Sequence, residues 1–186
     1  MADLNQSVQY IKGVGPNRAA IFNKIGIFTL EDLLTYYPRE YEDRGKVKKI
    51  AEIVHGDEVT ITARVVSEVS VNRIRNNMTI LKTIVEDDTG RCTVTWFNQL
   101  YIKQTIKRGE TYRFYGKFSN SLGNIEISSP VFDKLGENKN TGKIMPVYPL
   151  TYNLSQTAIR QAVENTLKMV ENNFQETIPE YLLKEY

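Results

Sequence analysis

The chain has 186 residues, with 24 Lys and Arg against 22 Asp and Glu, one Cys and one His. That length allows one domain of ordinary size, or a small one with helical appendages, and a core that needs no disulfide or metal staple. A single Cys excludes a disulfide framework and a Cys-based zinc cage, and a single His excludes His-pair metal motifs. A net charge of +2 is too small to announce a nucleic-acid protein.

Residues 1–12 lack the basic start and apolar run of a signal peptide. No stretch approaches the roughly 18–20 apolar residues of a membrane span. The expected location is therefore the cytoplasm, without a membrane partner.

The pattern reads as helix-rich, then strand-rich, then helix-rich. Over residues 5–37 helical spacing is broken by Gly13, Gly15 and Gly26. Pro16 can open a helix at its first position, running Asn17–Ile25, and Gly26 can cap its end. Thr29 with Asp32 three residues on forms a variant capping box for a short helix through Tyr37, which Pro38 ends. Residues 39–50 read as a charged connector.

From Gly56 the period changes from 3.6 to 2. Val59, Ile61, Ala63, Val65, Val69 and Val71 alternate with Thr60, Thr62, Arg64, Glu68 and Ser70, which predicts one long half-buried strand. A polar turn near Asn72–Asn77 leads to a second strand, Met78–Glu86, apolar on both faces and so expected to be central. Asp87-Asp88-Thr89-Gly90 predicts a hairpin turn into a third strand, Arg91–Asn98. Gln99–Lys107 has room for about two helical turns. A fourth strand covers Thr111–Phe118, and a fifth starts near Ile125. Residues 136–143 read as a loop, Pro146 and Pro149 as an extended stretch, and Ser155–Glu171 as a helix with Ala158, Ile159, Ala162, Val163 and Leu167 on one face. Another short helix begins at Pro179.

Five strands with a short helix between the third and fourth is the order of an OB-type barrel. The expected class is α+β: a five-stranded OB-fold barrel over 51–135, an N-terminal helical segment over 1–50 with a helix-hairpin-helix-like turn, and an extended segment and helix over 136–186.

Little in the chain can do chemistry. No phosphate-binding loop occurs, since Gly13-x-Gly15 is too short and no Gly-Lys-Ser/Thr follows. Cys92 is in phase with Val94 and reads as core packing. His55, just before Gly56, reads as a loop residue, and Asp87-Asp88 are explained by a turn without a metal. No nucleophile–base pair can be assembled, so the expectation is no catalytic residue, no metal site and no cofactor.

Charge is unevenly placed. Residues 91–117 hold Arg91, Lys103, Lys107, Arg108, Arg113 and Lys117 against Glu110, while Arg64, Arg73, Arg75 and Lys82 lie with Glu68 along the first two strands. Such a cluster is either a phosphate-backbone footprint or a solvated face. Strand parity puts Trp96 inside with Cys92 and Val94, and Phe97 outside with Thr93 and Thr95. In the fourth strand it puts Arg113, Tyr115 and Lys117 outside. An outward Phe97 with Tyr101 four residues on can stack bases, or both rings can pack on the N-terminal helices. Gly13 and Gly15 can let backbone N–H groups approach a phosphate, or simply make a tight turn.

Several motifs occur together: Ile11-Lys12-Gly13-Val14-Gly15-Pro16, Gly26-Ile27-Phe28-Thr29-Leu30-Glu31-Asp32-Leu33-Leu34, Tyr37-Pro38-Arg39-x-Tyr41-x-Asp43-Arg44, Trp96-Phe97-Asn98-Gln99 and Met145-Pro146-Val147-Tyr148-Pro149-Leu150-Thr151. In this order and spacing they resemble the N-terminal wedge region of the RecG family of ATP-dependent DNA helicases. The resemblance implies an OB-fold wedge that splits branched DNA, such as forks and Holliday junctions, while a separate motor pulls the arms. The family's Phe-x-x-x-Tyr pair that stacks at the fork point falls on Phe97 and Tyr101. Backbone phosphates would be held by some of Arg64, Arg73, Arg75, Lys82, Lys103, Lys107, Arg113 and Lys117. The helicase motifs are missing here, so ATP and Mg are implied only for the motor, and no enzyme activity for these residues. Implied partners are branched DNA, the protein's own helicase domains and a single-strand-binding protein. Other readings are a general single-strand-binding OB module and a protein-docking OB domain.

Overall fold

A computed structural model describes residues 3–74 and 78–170. Arg75 and the helix expected from Pro179 lie outside the described residues. Among those described, the helices are α1 (Gly15–Asn23), α2 (Leu30–Leu34), α3 (Ile102–Thr105) and α4 (Gln156–Val170). The strands are β1 (Glu40–Asp43), β2 (Glu58–Val65), β3 (Ser70–Ile74), β4 (Met78–Glu86), β5 (Arg91–Phe97), β6 (Thr111–Ser121), β7 (Asn124–Ser128), β8 (Val131–Lys134) and β9 (Ile144–Val147). No helix among them is long and apolar enough to cross a membrane.

The contacts divide the described residues into two units, one within residues 42–145 and one of residues 3–41 with 146–170. The strand-rich unit is wider than the 51–135 span expected for the barrel alone. Residues 42–48 join the strand-rich unit because Lys48 N donates to Thr60 O (3.0 Å) and Thr60 N to Lys46 O (2.9 Å). Residues 136–143 join it because the buried Asp133 carboxylate accepts from the backbone N–H groups of Asn140 and Thr141, both at 2.7 Å. A charged or polar segment can thus be pinned as firmly as a strand once its backbone groups are satisfied.

In the strand-rich unit, β2 pairs with both β4 and β6, closing the ring β2–β4–β5–β7–β6. The β5–β7 pair is parallel and its neighbours in the ring are antiparallel, with α3 bridging β5 to β6. That is the five-stranded OB barrel. β3 is added as a hairpin partner of β4, and β8 flanks β6. Trp96, Phe114, Phe118, Ile61, Leu81 and Val94 fill the barrel. Each buried side chain of this size is worth about 1.5–3 kcal/mol of removed apolar surface. Trp96 meets Phe114 at 6.4 Å and Phe132 edge-on at 6.2 Å.

Three strand expectations change. The long first strand breaks between β2 and β3, because Ser67 Oγ accepts the Ile84 N–H (2.8 Å) and so replaces a ladder carbonyl. Thr83 Oγ1 then donates to Ser67 O (2.8 Å) and holds the bend. β4 is central through its pairing with β2, β3 and β5, yet only one of its faces is buried, leaving Met78 and Ile84 exposed. The expected two-turn helix shortens to α3, whose end is fixed by the buried Tyr112: its hydroxyl donates to Thr105 O (3.0 Å) and accepts from Lys107 N (3.2 Å).

The helical unit packs Val8, Ile11, Phe22, Leu30, Leu33, Ile159 and Ala162 into its own core. Gly26 ends the α1 region at φ 82°, and Thr29 with Asp32 makes the reciprocal capping box of α2. α2 stops at Leu34, short of Tyr37. The arm before α1 is a single 3-10 turn, Val8–Tyr10, so the helix-hairpin-helix pattern has only its second helix. On α4 the buried stripe is Ile159, Ala162, Thr166 and Val170, with Leu167 exposed. Thr166 belongs inside because its hydroxyl donates to Ala162 O (2.9 Å) and leaves no unpaired polar group.

Candidate nucleic-acid interface

β5 alternates as its sequence requires. Cys92, Val94 and Trp96 are buried, while Phe97 at its end is 40% exposed. Asn98 follows at φ 55°, a left-handed turn that asparagine tolerates better than most residues. Its backbone N donates to Thr79 O and its Oδ1 accepts from Thr79 N, each at 2.8 Å. This double bond to the start of β4 fixes where the chain leaves the strand. Tyr101, the N-cap residue of α3, is 58% exposed, and its hydroxyl donates to Gln99 Oε1 (2.8 Å). Both rings thus keep much of their surface open.

The ledge is wider than those two rings. Ile80 lies directly across from Phe97, and Met78 pairs with Ile74 one row further out on the same face of the sheet. Met78, Ile74 and Leu100 are exposed apolar side chains, and the sequence reading missed all of them. The signal was present in β4, where apolar residues at both parities hid the fact that only the odd ones are inside.

The basic candidates separate by geometry. Lys82 shares the Phe97 face, opposite Thr95 and Ser70. Arg73 pairs with Thr79 and so sits on the reverse face of the β3–β4 hairpin. Arg64 bonds Glu86 (2.8 Å) with Arg91 on the same carboxylate (3.3 Å), about 20 Å along β4 from Ile80. The Arg64 hydrogen bond, with Arg91 beside it, holds the Glu86 carboxyl below its usual range against the cost of desolvation. Arg113 is tied to Asn138 Oδ1 and lies against Gly142, where an added Cβ would meet its guanidinium at 2.7 Å. Lys103, Lys107 and Lys117 are exposed.

Tyr115 corrects the outward face expected of β6. It is buried, its ring carries the Arg44 guanidinium at 5.0 Å, and its hydroxyl donates to Glu58 Oε1 (3.2 Å). Burial raises its pKa, with Glu58 and Glu42 adding to the shift. The cause is the segment around Arg44, which also buries Thr60 by offering its carbonyl to the Thr60 hydroxyl (2.7 Å). Arg44 itself is buried, paired to Glu42 and donating to Asn140 O (2.8 Å).

The remaining candidates have structural partners. Gly13 (φ 86°) and Gly15 (φ 53°) turn the chain into α1, and the Gly13 carbonyl accepts the Arg18 guanidinium. The Asp87 carboxylate accepts from the N–H groups of Thr89 (2.8 Å), Gly90 (3.0 Å) and Ile50 (2.9 Å), while Asp88 pairs with Lys49. Burial, with Glu126 nearby, pushes the Cys92 thiol up to about 12. His55 is exposed in the turn before Gly56.

An OB barrel that presents an exposed aromatic ledge with Lys82 on the same face belongs to the class of folds whose outer sheet face takes up oligonucleotides. Residues 7–170 match the RecG wedge domain family. The ATP-dependent DNA helicase RecG of Thermotoga maritima is 36% identical over 187 residues, covering 98% of this chain and 24% of that protein. Its Bacillus subtilis counterpart is 28% identical over 185 residues, covering 97% of this chain and 26% of that protein. A solved structure of RecG bound to a three-way DNA junction superposes with a TM-score of 0.89 at 33% identity, over 100% of this chain and 26% of that one. The chain therefore belongs to the RecG wedge domain family, and it spans about a quarter of the length of the relatives it matches.

Proposed function

We propose that this chain is the junction-binding wedge of a RecG-type helicase, with Phe97 and Tyr101 stacking on the bases where two strands diverge. The observation that carries the reading is the position of the two rings: exposed, four residues apart, and held at the end of β5 by the Asn98–Thr79 bonds. Lys82 supplies charge on the face of that ledge for the phosphates, and the exposed Lys103 and Lys107 add to the basic surface.

The energetics suit a passive wedge. A base stacked on an aromatic ring gains about 1–3 kcal/mol. Separating one step of duplex DNA costs about 1.4 kcal/mol on average. Two rings together gain about 2–6 kcal/mol and so offset the opening of roughly one to four steps at a branch, but cannot drive further unwinding. Processive opening requires force from elsewhere, which is the role of the helicase domains of the longer relatives. ATP and Mg would act in those domains. A single-strand-binding protein and a cytoplasmic location fit the same reading.

The test is fork binding by Phe97→Ala, Tyr101→Ala and the double variant at moderate salt. A loss of roughly tenfold or more per ring is expected, with the melting temperature unchanged. Unchanged affinity in the double variant would show that the rings do not stack.

A further inference from the structure

The two rings of the ledge are held by different means. Phe97 belongs to β5, where the strand ladder fixes its backbone and Ile80 stands across from it. Tyr101 lies beyond the strand, as the N-cap residue of the four-residue helix α3. Its main chain is nonetheless fixed: Tyr101 O accepts from Gln104 N (2.9 Å), Thr105 N (3.1 Å) and Thr105 Oγ1 (3.1 Å). Gln99 O accepts from Ile102 N (3.0 Å), so the main chain of Gln99 is fixed as well. What remains open is the direction of the Tyr101 ring.

Packing alone leaves that direction free. The ring is more than half exposed, and one side of it borders a groove of about 680 Å³ also lined by Gln99, Thr105, Pro130 and Phe132. A tyrosine ring turns about its side-chain torsions, and this space gives it room to swing away from the ledge. What stands against that freedom is a hydrogen bond: the Tyr101 hydroxyl donates to Gln99 Oε1 at 2.8 Å. Stacking on a base needs only an aromatic ring, and phenylalanine serves as well. A hydroxyl at this position therefore has a use other than stacking, and its partner is Gln99.

We propose that Gln99 is a positioning residue of the wedge: its amide oxygen holds the Tyr101 ring out of the groove and at the ledge, oriented before DNA arrives. The inference rests on the wedge reading above. An exposed hydrogen bond adds little to folding, because water competes for both partners. Biasing one side-chain rotamer asks for much less than stabilising a fold. Immobilising an exposed side chain on binding has an entropic cost, and a ring already held in its bound orientation avoids part of it. The gain is a few-fold in affinity, not orders of magnitude. Gln99 and the Tyr101 hydroxyl thus act as one unit, and losing either half loses the whole effect.

The test is a double-mutant cycle on fork binding by this chain. Tyr101→Phe keeps the ring and removes the donor, while Gln99→Met keeps the side-chain length and removes the acceptor. Each is expected to weaken binding about threefold, and the two together about threefold rather than about ninefold. A second readout separates positioning from folding: 2-aminopurine at the first unpaired base of each strand at the branch, whose fluorescence falls on stacking. Tyr101→Ala and Phe97→Ala assign the two signals. Tyr101→Phe and Gln99→Met should each reduce the Tyr101-dependent quenching and leave the Phe97-dependent quenching unchanged. Single variants that bind like the parent chain, effects that multiply in the double variant, or equal loss of both quenching signals overturn the role of Gln99. Those results leave the ledge standing as long as Tyr101→Ala weakens fork binding. If Tyr101→Ala changes neither affinity nor quenching, the stacking role of Tyr101 fails and the role of Gln99 fails with it.

Discussion

Ile80 on β4 stands directly opposite Phe97 on β5, and the two side chains share the outer face of the barrel. A cross-strand pair of this kind contributes roughly 0.2–1 kcal/mol. With the Asn98–Thr79 bonds closing the strand end, Ile80 flanks the Phe97 ring on that face.

Ile80→Thr keeps a good strand former and removes most of that contact. Fork affinity measured by anisotropy should fall about two- to fivefold, in line with the pair energy. The melting temperature should stay within a few degrees. If affinity does not change while Phe97→Ala still weakens binding, the ring is held by other contacts.

Salt dependence sorts the basic residues. Neutralising a lysine that contacts phosphate lowers the slope of log affinity against log salt by about 1. Lys82→Gln, Lys103→Gln and Lys107→Gln are each expected to do so. Arg113→Gln should leave the slope unchanged, because its guanidinium is held by Asn138, and should instead loosen the 138–142 loop. Titrations of a fork at several salt concentrations decide between them.

Trp96 anchors the barrel with an unusual feature. Its indole N–H is buried and has no hydrogen-bond partner. Trp96→Ala should cost about 3–5 kcal/mol in urea unfolding. Trp96→Phe should cost far less than its lost volume implies, since it also removes a desolvated donor.

Acid should weaken the fold through carboxylates whose pKa values folding lowers. Backbone hydrogen bonds from Phe28 and Thr29, with the Thr29 hydroxyl, hold Asp32 below its usual value. The Lys48 ammonium (2.7 Å) and the Val54 N–H (3.0 Å) do the same for Asp57. Because the folded values lie below the unfolded ones, this stabilisation is complete above roughly pH 4–5 and is lost as pH falls through the folded values. Melting temperature should be flat from neutral pH to about 5 and fall below about 4. Thr29→Ala, which removes the other half of the capping box, should cost about 1 kcal/mol at neutral pH.

Much of this was readable from local rules. The Thr29–Asp32 box, the stop at Gly26, the limits of β4 and the parity of Cys92, Val94, Trp96 and Phe97 all follow from interactions within a few residues. What misled were segments whose state depends on distant partners. Tyr115 had the parity of an outward residue but is covered by Arg44, 71 positions earlier. The alternation from Val59 to Val71 lapses only at Val66-Ser67, and there Ser67 finds Ile84 and bends the strand. Leu167 fitted the apolar stripe of its helix, and tertiary packing chose Thr166 instead.

The near-neutral charge of the chain as a whole misleads in the same way. Sequence by itself determined the barrel order, the outward Phe97 and the uneven distribution of bases along the chain, because periodicity and turn chemistry are local properties. Only the tertiary structure decided which of those bases are left unpaired, turning Lys82 toward Phe97, Arg73 to the reverse face, and Arg64 and Arg113 onto Glu86 and Asn138. Strand register and loop closure assign those partners across tens of residues, and neither is written in the alternation of a single strand.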